Sequence, residues 1–336
     1  MMKQLFRVLP PLAPDYGGAC EIMYELGGLV LIHDATGCTV NYVHFDEPRY
    51  HTKPSNVFCS GLCEIDAVMG NDDVVINKAI KAAEELKPNF IAFVGSSVPM
   101  VVGTDFYGIA HDCEAQCGIP CFGIDANGIR NYIYGASVTG LQFVKRFCGE
   151  KTESRGVNLL GFIPMNYGDL RETEIIKGAF TDVRHAFSYN MSFDDLADLQ
   201  NAEGNIVVSA AGLEIAEYMK KKYGMPYTVG VPYEHILEKI IDPSGLKGRV
   251  LVIGEGIDAC SMAAAITGKY GLEADALDVF EKKSAAKYNL SSEEEIKAVA
   301  AEYDVVVADP CFTPLVGKSK IIKRPTVSVS GGVFNT

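Results

Sequence analysis

Short apolar runs alternating with helix-like segments predict an α/β protein of three βα units with mainly parallel sheets. The runs are only a few residues long and end in small or polar residues, as strands buried on both faces do. Polar or Pro/Gly-rich links at GEKTESRG (149–156) and IDPSGLKG (241–248) divide the chain. The expected units are therefore 1–150, 151–245 and 246–336.

LVLI at 29–32 is the first expected strand. PNFIAFVGSS (88–97), GIPCFGID (118–125), GVNLLGFIP (156–164), GNIVVSAAG (204–212), GRVLVIGEG (248–256), YDVVVADPC (303–311) and PTVSVSGG (325–332) follow. Between them DDVVINKAIKAAEELK (72–87) has helical periodicity. SEEEIKAVAAEY (292–303) opens on a capping-box pattern, Ser292 to Glu295. Ligands of such sheets bind beyond the carboxyl ends of strands. The loops after GFIP, VVSA, VIGEG and VADP are thus where a cavity is expected.

Composition narrows the function. The 336 residues are 48% apolar and 22% charged, enough to bury large cores. A formal net charge of −13 disfavours nucleic acid as a partner. KSKIIKRP (318–325) is the one basic cluster, and it reads as a solvated segment. No apolar stretch reaches the roughly 20 residues of a membrane-spanning helix. MMKQLFRVLPPLAPDYGG lacks the apolar core of a secretory signal, so the cytoplasm is the expected compartment. Reduced thiols are expected there, and the ten cysteines read as buried apolar groups, reactive thiols or metal ligands.

Five cysteines fall at 20, 38, 59, 63 and 113. Cys20 follows Gly-Gly-Ala and Cys38 follows Gly37, so a flexible chain is expected to bring both thiols close to a bulky group. Iron–sulfur clusters need such thiolates, with amides aimed at the sulfurs.

These segments resemble the nitrogenase component 1 superfamily, which includes the nitrogenase catalytic subunits, their cofactor-assembly homologues and dark-operative protochlorophyllide reductase subunits. GGAC (17–20) resembles its first cysteine motif, and HDATGC (33–38) its H-G-P-x-G-C. EIDAVMGND (64–72) resembles E-x-D-x-V-F-G-G-D, and SSVPMVVGTDF (96–106) a later S-x-C-P segment. The resemblance implies three Rossmann-like units. It also implies an iron–sulfur cluster, 4Fe–4S or larger such as an eight-iron cluster, at the interface of a homodimer or heterodimer. Cys20 and Cys38 are its implied ligands. The third family cysteine falls at Val98 and is absent; Cys59 or Cys63 in FCSGLC could replace it, or could be small residues at a helix start. An ATP-dependent iron–sulfur reductase docking near Asp66–Gly70 and a small-molecule substrate are the implied partners. The positions matching the nitrogenase cofactor ligands fall around Ser209-Ala210 and Ser328-Val329, so dinitrogen reduction is not expected.

Competing readings attach to other residues. A cofactor-assembly scaffold without turnover is the second function the resemblance allows. GEGIDA (254–259), with Asp275 and Asp278 downstream, fits a dinucleotide-binding turn and a third, nucleotide-binding reading. His33 is a candidate proton carrier beside the cluster loop. Asp34 is expected to accept backbone amides in the turn, with an oxygen-ligand role as the alternative. Cys113, Cys117 and Cys121 read as packing residues: the first two share a helix face, and Gly118-Ile119-Pro120 places the third in a strand. Cys311, just past a strand's carboxyl end, and Cys260, early in the helix after VIGEG, read as buried small residues, with ligation of a second cofactor in an interdomain cavity as the alternative.

Overall fold

The computed structural model describes residues 7–35, 37–280 and 284–330. The chain folds into two compact units, one of residues 13–151 and 187–200, the other of the remainder. Among the described residues every pairing between the named strands is parallel, with one isolated antiparallel bridge, Pro14 to Asn131, outside them.

The unit of 13–151 and 187–200 holds one sheet in the order β2-β1-β3-β4. Its strands are β1 (Leu29–Ile32), β2 (Val57–Cys59), β3 (Ile91–Val94) and β4 (Cys121–Ile124). The helices are α1 (Asp15–Met23), α2 (Gly37–Asn41), α3 (Glu64–Met69), α4 (Asp72–Leu86), α5 (Ser97–Val102), α6 (Phe106–Cys117) and α7 (Tyr132–Phe147). A short α9 (Phe193–Leu196) belongs to the same unit, and a π-helical turn, 42–46, follows α2. Alternation along β1 and β3 sends Leu29, Leu31, Ile91 and Phe93 into a core with α4 and α6. The opposite side carries Phe90, which meets Phe143 edge-on at 4.8 Å. β1 and β3 are buried at every position, which is why they read as continuous apolar runs.

Helices α1 and α7 pack backbone to backbone. A Cβ on Gly18 would lie 1.9 Å from the Tyr132 carbonyl oxygen, and one on Gly135 1.8 Å from that of Asp15. Gly18, two residues before Cys20, is therefore explained by helix packing. Cys20 lies inside α1, not on the flexible approach to a bulky ligand that the sequence suggests.

The second unit contains two sheets. One has the order β6-β5-β7-β8, from β5 (Val157–Leu160), β6 (Val183–Ala186), β7 (Gly204–Val207) and β8 (Tyr227–Val229). The other runs β11-β10-β9-β12-β13, from β9 (Arg249–Gly254), β10 (Glu273–Asp278), β11 (Tyr288–Asn289), β12 (Val305–Ala308) and β13 (Lys320–Lys323). Helices α8 (Leu170–Lys177), α10 (Leu213–Tyr223), α11 (Leu237–Ile240), α12 (Gly256–Tyr270), α13 (Glu293–Ala300) and α14 (Val327–Ser330) complete it. The α/β class and the three parallel sheets agree with the sequence reading.

Two local expectations are corrected. The last strand is Lys320–Lys323, inside the basic segment read as solvated, and Val327–Ser330 is helical where a strand was expected. KIIK is an edge strand whose outer lysines are exposed, a pattern that discourages further pairing. The second correction concerns the loops beyond GFIP, VVSA, VIGEG and VADP. There the named loops are tied to one another by side-chain hydrogen bonds, and the cavity that does open, about 960 Å³, lies beside them against residues 229–232 and the Ser261 and Ala265 positions of α12. Ser209 Oγ donates to the Gly161 carbonyl at 2.7 Å, and Glu255 accepts from the Ala210 amide at 2.9 Å. Asp309 accepts from the Thr326 amide at 2.8 Å, and Arg324 pairs with Asp258 and with Glu172. Parallel strands do aim these loops to one side, but the two sheets of this unit close over them.

Candidate cluster site at the carboxyl end of the first sheet

Strand register assembles this site. Ile32, the last residue of β1, lies opposite Cys59 on one neighbour and Val94 on the other. The segments leaving these strands are His33-Asp34, Cys59-Ser60 and Ser96-Ser97, so three strand ends deliver polar groups to one place. Asp34 is 4% exposed and joins them. Its Oδ2 accepts from the Cys38 amide at 3.0 Å and its Oδ1 from Ser96 Oγ at 3.3 Å, while its carbonyl accepts from the Leu62 amide at 2.8 Å. Asp34 thus acts as the expected acceptor of backbone amides and fixes the turn that carries Cys38.

Cys38 lies half-buried in the first turn of α2. Burial and the Asp34 carboxylate push its thiol up, while the Tyr16 and Ser96 hydroxyls beside its sulfur favour the thiolate. Cys59 is also half-buried. Its Sγ faces the carbonyl oxygens of Asp34 and Ala35 at 3.1 Å each, and the Gly61 amide donates to it at 3.3 Å. Cys63 is exposed at the N-cap of α3, its Sγ 2.8 Å from Asp66 Oδ2. Val98, where the family pattern has a third cysteine, lies 45% exposed on α5, two residues beyond Ser96.

Cys20 has different surroundings. It is fully buried in α1, and burial, with the carboxylates of Glu47, Glu21 and Asp46, pushes its thiol far above the usual range. The α1 side chain beside Cys38 is Tyr16, one helical turn earlier. The structure therefore brings Cys38 and Cys59 together around Asp34. It leaves Cys63 on the rim and seals Cys20 among anions.

His33 is buried, with Nδ1 2.9 Å from Ser60 Oγ and its ring edge-on to Phe106 at 5.9 Å. Burial lowers its pKa, which favours the neutral imidazole. It faces a cavity of about 180 Å³ whose lining includes Ser60, Asp66, Lys78 and Asp105. Around these groups the surface is apolar: Val40, Phe45, Phe58, Ile65, Val68 and Val101 are between 45% and 78% exposed.

Thiolate ligation fits part of this arrangement. Two thiols at a solvent-reachable strand edge, one receiving an amide and the other beside the Tyr16 hydroxyl, have the donor chemistry of cluster cysteines. Cys20 does not fit as a ligand while α1 covers it. Sequence reasoning missed Tyr16, Ser60 and Ser96. Small polar residues at a strand's carboxyl end were the available signal for Ser96. Ser60 was hidden because the three-residue strand VFC is too short to stand out.

The family model of nitrogenase component 1 type oxidoreductases matches residues 17–235, well over half of the chain and all of this site but Tyr16. The chain belongs to that family. Solved structures of similar fold include two described as "Nitrogenase Cp1", at pH 6.5 and at pH 5. The first has a TM-score of 0.64 at 15% identity over 82% of this chain. The second has a TM-score of 0.66 at 14% identity over 95%. The present chain spans 63% of the first and 84% of the second, so it is less than two thirds the extent of one of them. No curated protein sequence matches the chain. Nitrogenase component 1 membership accounts for the parallel βα architecture.

The dinucleotide turn at 254–259 is filled by the chain itself. The Glu255 carboxylate accepts from the Ile257 and Asp258 amides at 3.1 and 3.0 Å, the place a pyrophosphate would take at the start of α12. Asp278 packs on Gly256, where an added Cβ would lie 2.3 Å from its Oδ2. Asp275 is held by Lys287 at 2.6 Å and Tyr303 at 2.7 Å. Cys260 and Cys311 are half-buried thiols pushed up by burial to about 11 and about 12.

Proposed function

We propose that this chain is the redox component of a nitrogenase-like oxidoreductase, holding an iron–sulfur cluster where a homologous subunit covers the face around Cys38. The subunit is a second copy or a different, homologous chain; a second copy doubles the thiolates supplied by one chain. The observation that supports this reading best is the coincidence of two half-buried thiols with a broad exposed apolar face. Monomeric proteins rarely leave such a face uncovered.

A cluster bound there would supply one-electron relay. Cys38 and Cys59 would be this chain's ligands, with Cys63 a further exposed thiol on the same segment and Cys20 recruited only by movement of α1. The Gly61 amide and the Tyr16 hydroxyl would stabilise sulfur-centred negative charge. Asp34 would hold the Cys38 turn in place. His33, neutral and bonded to Ser60, would hold or pass a proton at the floor of the cavity. Electrons would arrive from a separate ATP-dependent iron–sulfur reductase docking on α3, where Glu64 and Asp66 lie beside exposed Ile65, Val68 and Met69. They would pass to a small-molecule substrate in the cytoplasm.

Anaerobic reconstitution with iron and sulfide tests the reading. Wild-type protein should gain a broad visible absorbance that bleaches with dithionite, and Cys38→Ala should lose most of it. Colourless wild-type protein after reconstitution would overturn the proposal.

A further inference from the structure

The strongest cluster of metal-ligating groups outside this site lies at the opposite end of the same sheet. Cys113 and Cys117 stand one turn apart at the end of α6, and Cys121 is the first residue of β4. Their three sulfurs lie within 4.8 Å of one another, and among the described residues this is the one such group of three His, Cys, Asp or Glu donors. Cys38 follows the carboxyl end of β1, whereas Cys121 pairs with Ile91 at the amino end of β3. The two places are separate.

The convergence is built by specific contacts. Gly118 caps α6 in the left-handed region, φ 71°, which lets the chain reverse within three residues into β4. Glu114, between the two helix cysteines, accepts from the Cys121 amide at 2.9 Å and is itself held by Arg146 at 2.7 Å. This bridge locks the strand thiol against the helix pair. Cys113 is fully buried, whereas Cys117 and Cys121 are half-buried and open to solvent.

We propose that Cys113, Cys117 and Cys121 form a three-thiolate site for a thiophilic divalent cation of the zinc type, with water in the fourth position. Zinc–sulfur bonds of about 2.3 Å in a tetrahedral site place the sulfurs about 3.8 Å apart. Closing the present spacing to that value takes side-chain adjustments on the order of 1 Å. Three thiolates with a divalent ion leave one net negative charge; a monovalent ion such as Cu⁺ would leave two beside Glu114, a worse case for a half-buried site. Binding releases the thiol protons to solvent as each sulfur takes up the metal. The sequence reading of these cysteines as packing residues describes the metal-free protein, where Cys113 sits in the apolar core with α4.

Cobalt(II) is the spectroscopic probe. Metal-free wild-type protein, titrated anaerobically with Co²⁺, should develop one equivalent of an intense thiolate-to-cobalt charge-transfer band that Zn²⁺ displaces. Cys38→Ser should retain the band. Cys117→Ser/Cys121→Ser, altered at half-exposed positions, should lose it and bind Zn²⁺ more weakly by at least about a hundredfold. Zn²⁺ should also raise the thermal midpoint of wild type but not of that double variant, whose midpoint in chelator should match wild type. The proposal is overturned by the absence of the band, by its survival in the double variant, or by binding of Cu⁺ without Zn²⁺.

Discussion

Gly18 shows why a residue pattern can be read correctly as close approach and assigned to the wrong object. The Gly-Gly-Ala-Cys stretch suggested a backbone nearing a cluster, but the approach is that of α1 to α7. Gly18→Ala should therefore destabilise the protein by about 2 kcal/mol or more, because backbone, not a movable side chain, stands 1.9 Å from the new Cβ. Urea unfolding checks this, and an unchanged midpoint would contradict the packing account. Asp34 was more legible. A carboxylate just past a strand and four residues before Cys38 is placed to accept that residue's amide, and it does. Tyr16 was not legible, because nothing in a one-chain sequence says which α1 side chain will face Cys38. Cys20→Ala should keep the visible absorbance of the reconstituted protein, whereas Cys38→Ala should lose it.

At the scale of elements, strands buried on both faces were readable and half-exposed ones were not. β1, β3, β9 and β12 announce themselves as apolar runs. β6, β10 and β13 carry charged or titratable residues on partly or fully exposed positions, and only their neighbours identify them as strands. The start of α12 explains why a glycine-rich turn does not amount to a nucleotide site. Burial, then the nearby Asp278, raises the Glu255 carboxyl to about 8, against the amides of Ala210 and Asp258, which pull it down. A carboxyl with a raised folded-state pKa contributes stability fully below its ordinary value, about 4.5, and loses it as pH rises through about 8. Glu255→Gln keeps an oxygen to cap α12 but cannot ionise. One amide, that of Ala210, loses its acceptor in the variant, a pH-independent cost, so the stability of the variant relative to wild type should rise between pH 5 and pH 9 by on the order of a few kcal/mol. Chemical denaturation at the two pH values measures the difference, and equal offsets at both would refute the account.

At the scale of the whole molecule, the two sheets of the larger unit are joined through Arg324. Its guanidinium, 5% exposed at the side chain, meets Glu172 at 3.0 Å and Tyr233 Oη at 2.6 Å, and pairs with Asp258. Arg324→Met should cost about 3–5 kcal/mol, since it leaves two buried carboxylates without their cation. That loss should appear as a lowered thermal midpoint for this unit, with Arg324→Lys restoring only part of it. The smaller unit presents the opposite economy: its apolar face around Cys38 is left exposed, which monomer stability alone does not explain. Family and architecture were legible from motif spacing and apolar runs together, whereas this face, spread over α2, α3, α5 and β2, exists only after folding. The central claim is that the face and its two thiols hold an iron–sulfur cluster between subunits. Iron and sulfide content, measured with the molar mass in solution on anaerobically reconstituted protein, tests it most directly. The account predicts a dimer carrying iron and sulfide, with both lost in Cys38→Ala and Cys59→Ala. Monomeric wild-type protein free of iron, or iron retained undiminished in both variants, would contradict it.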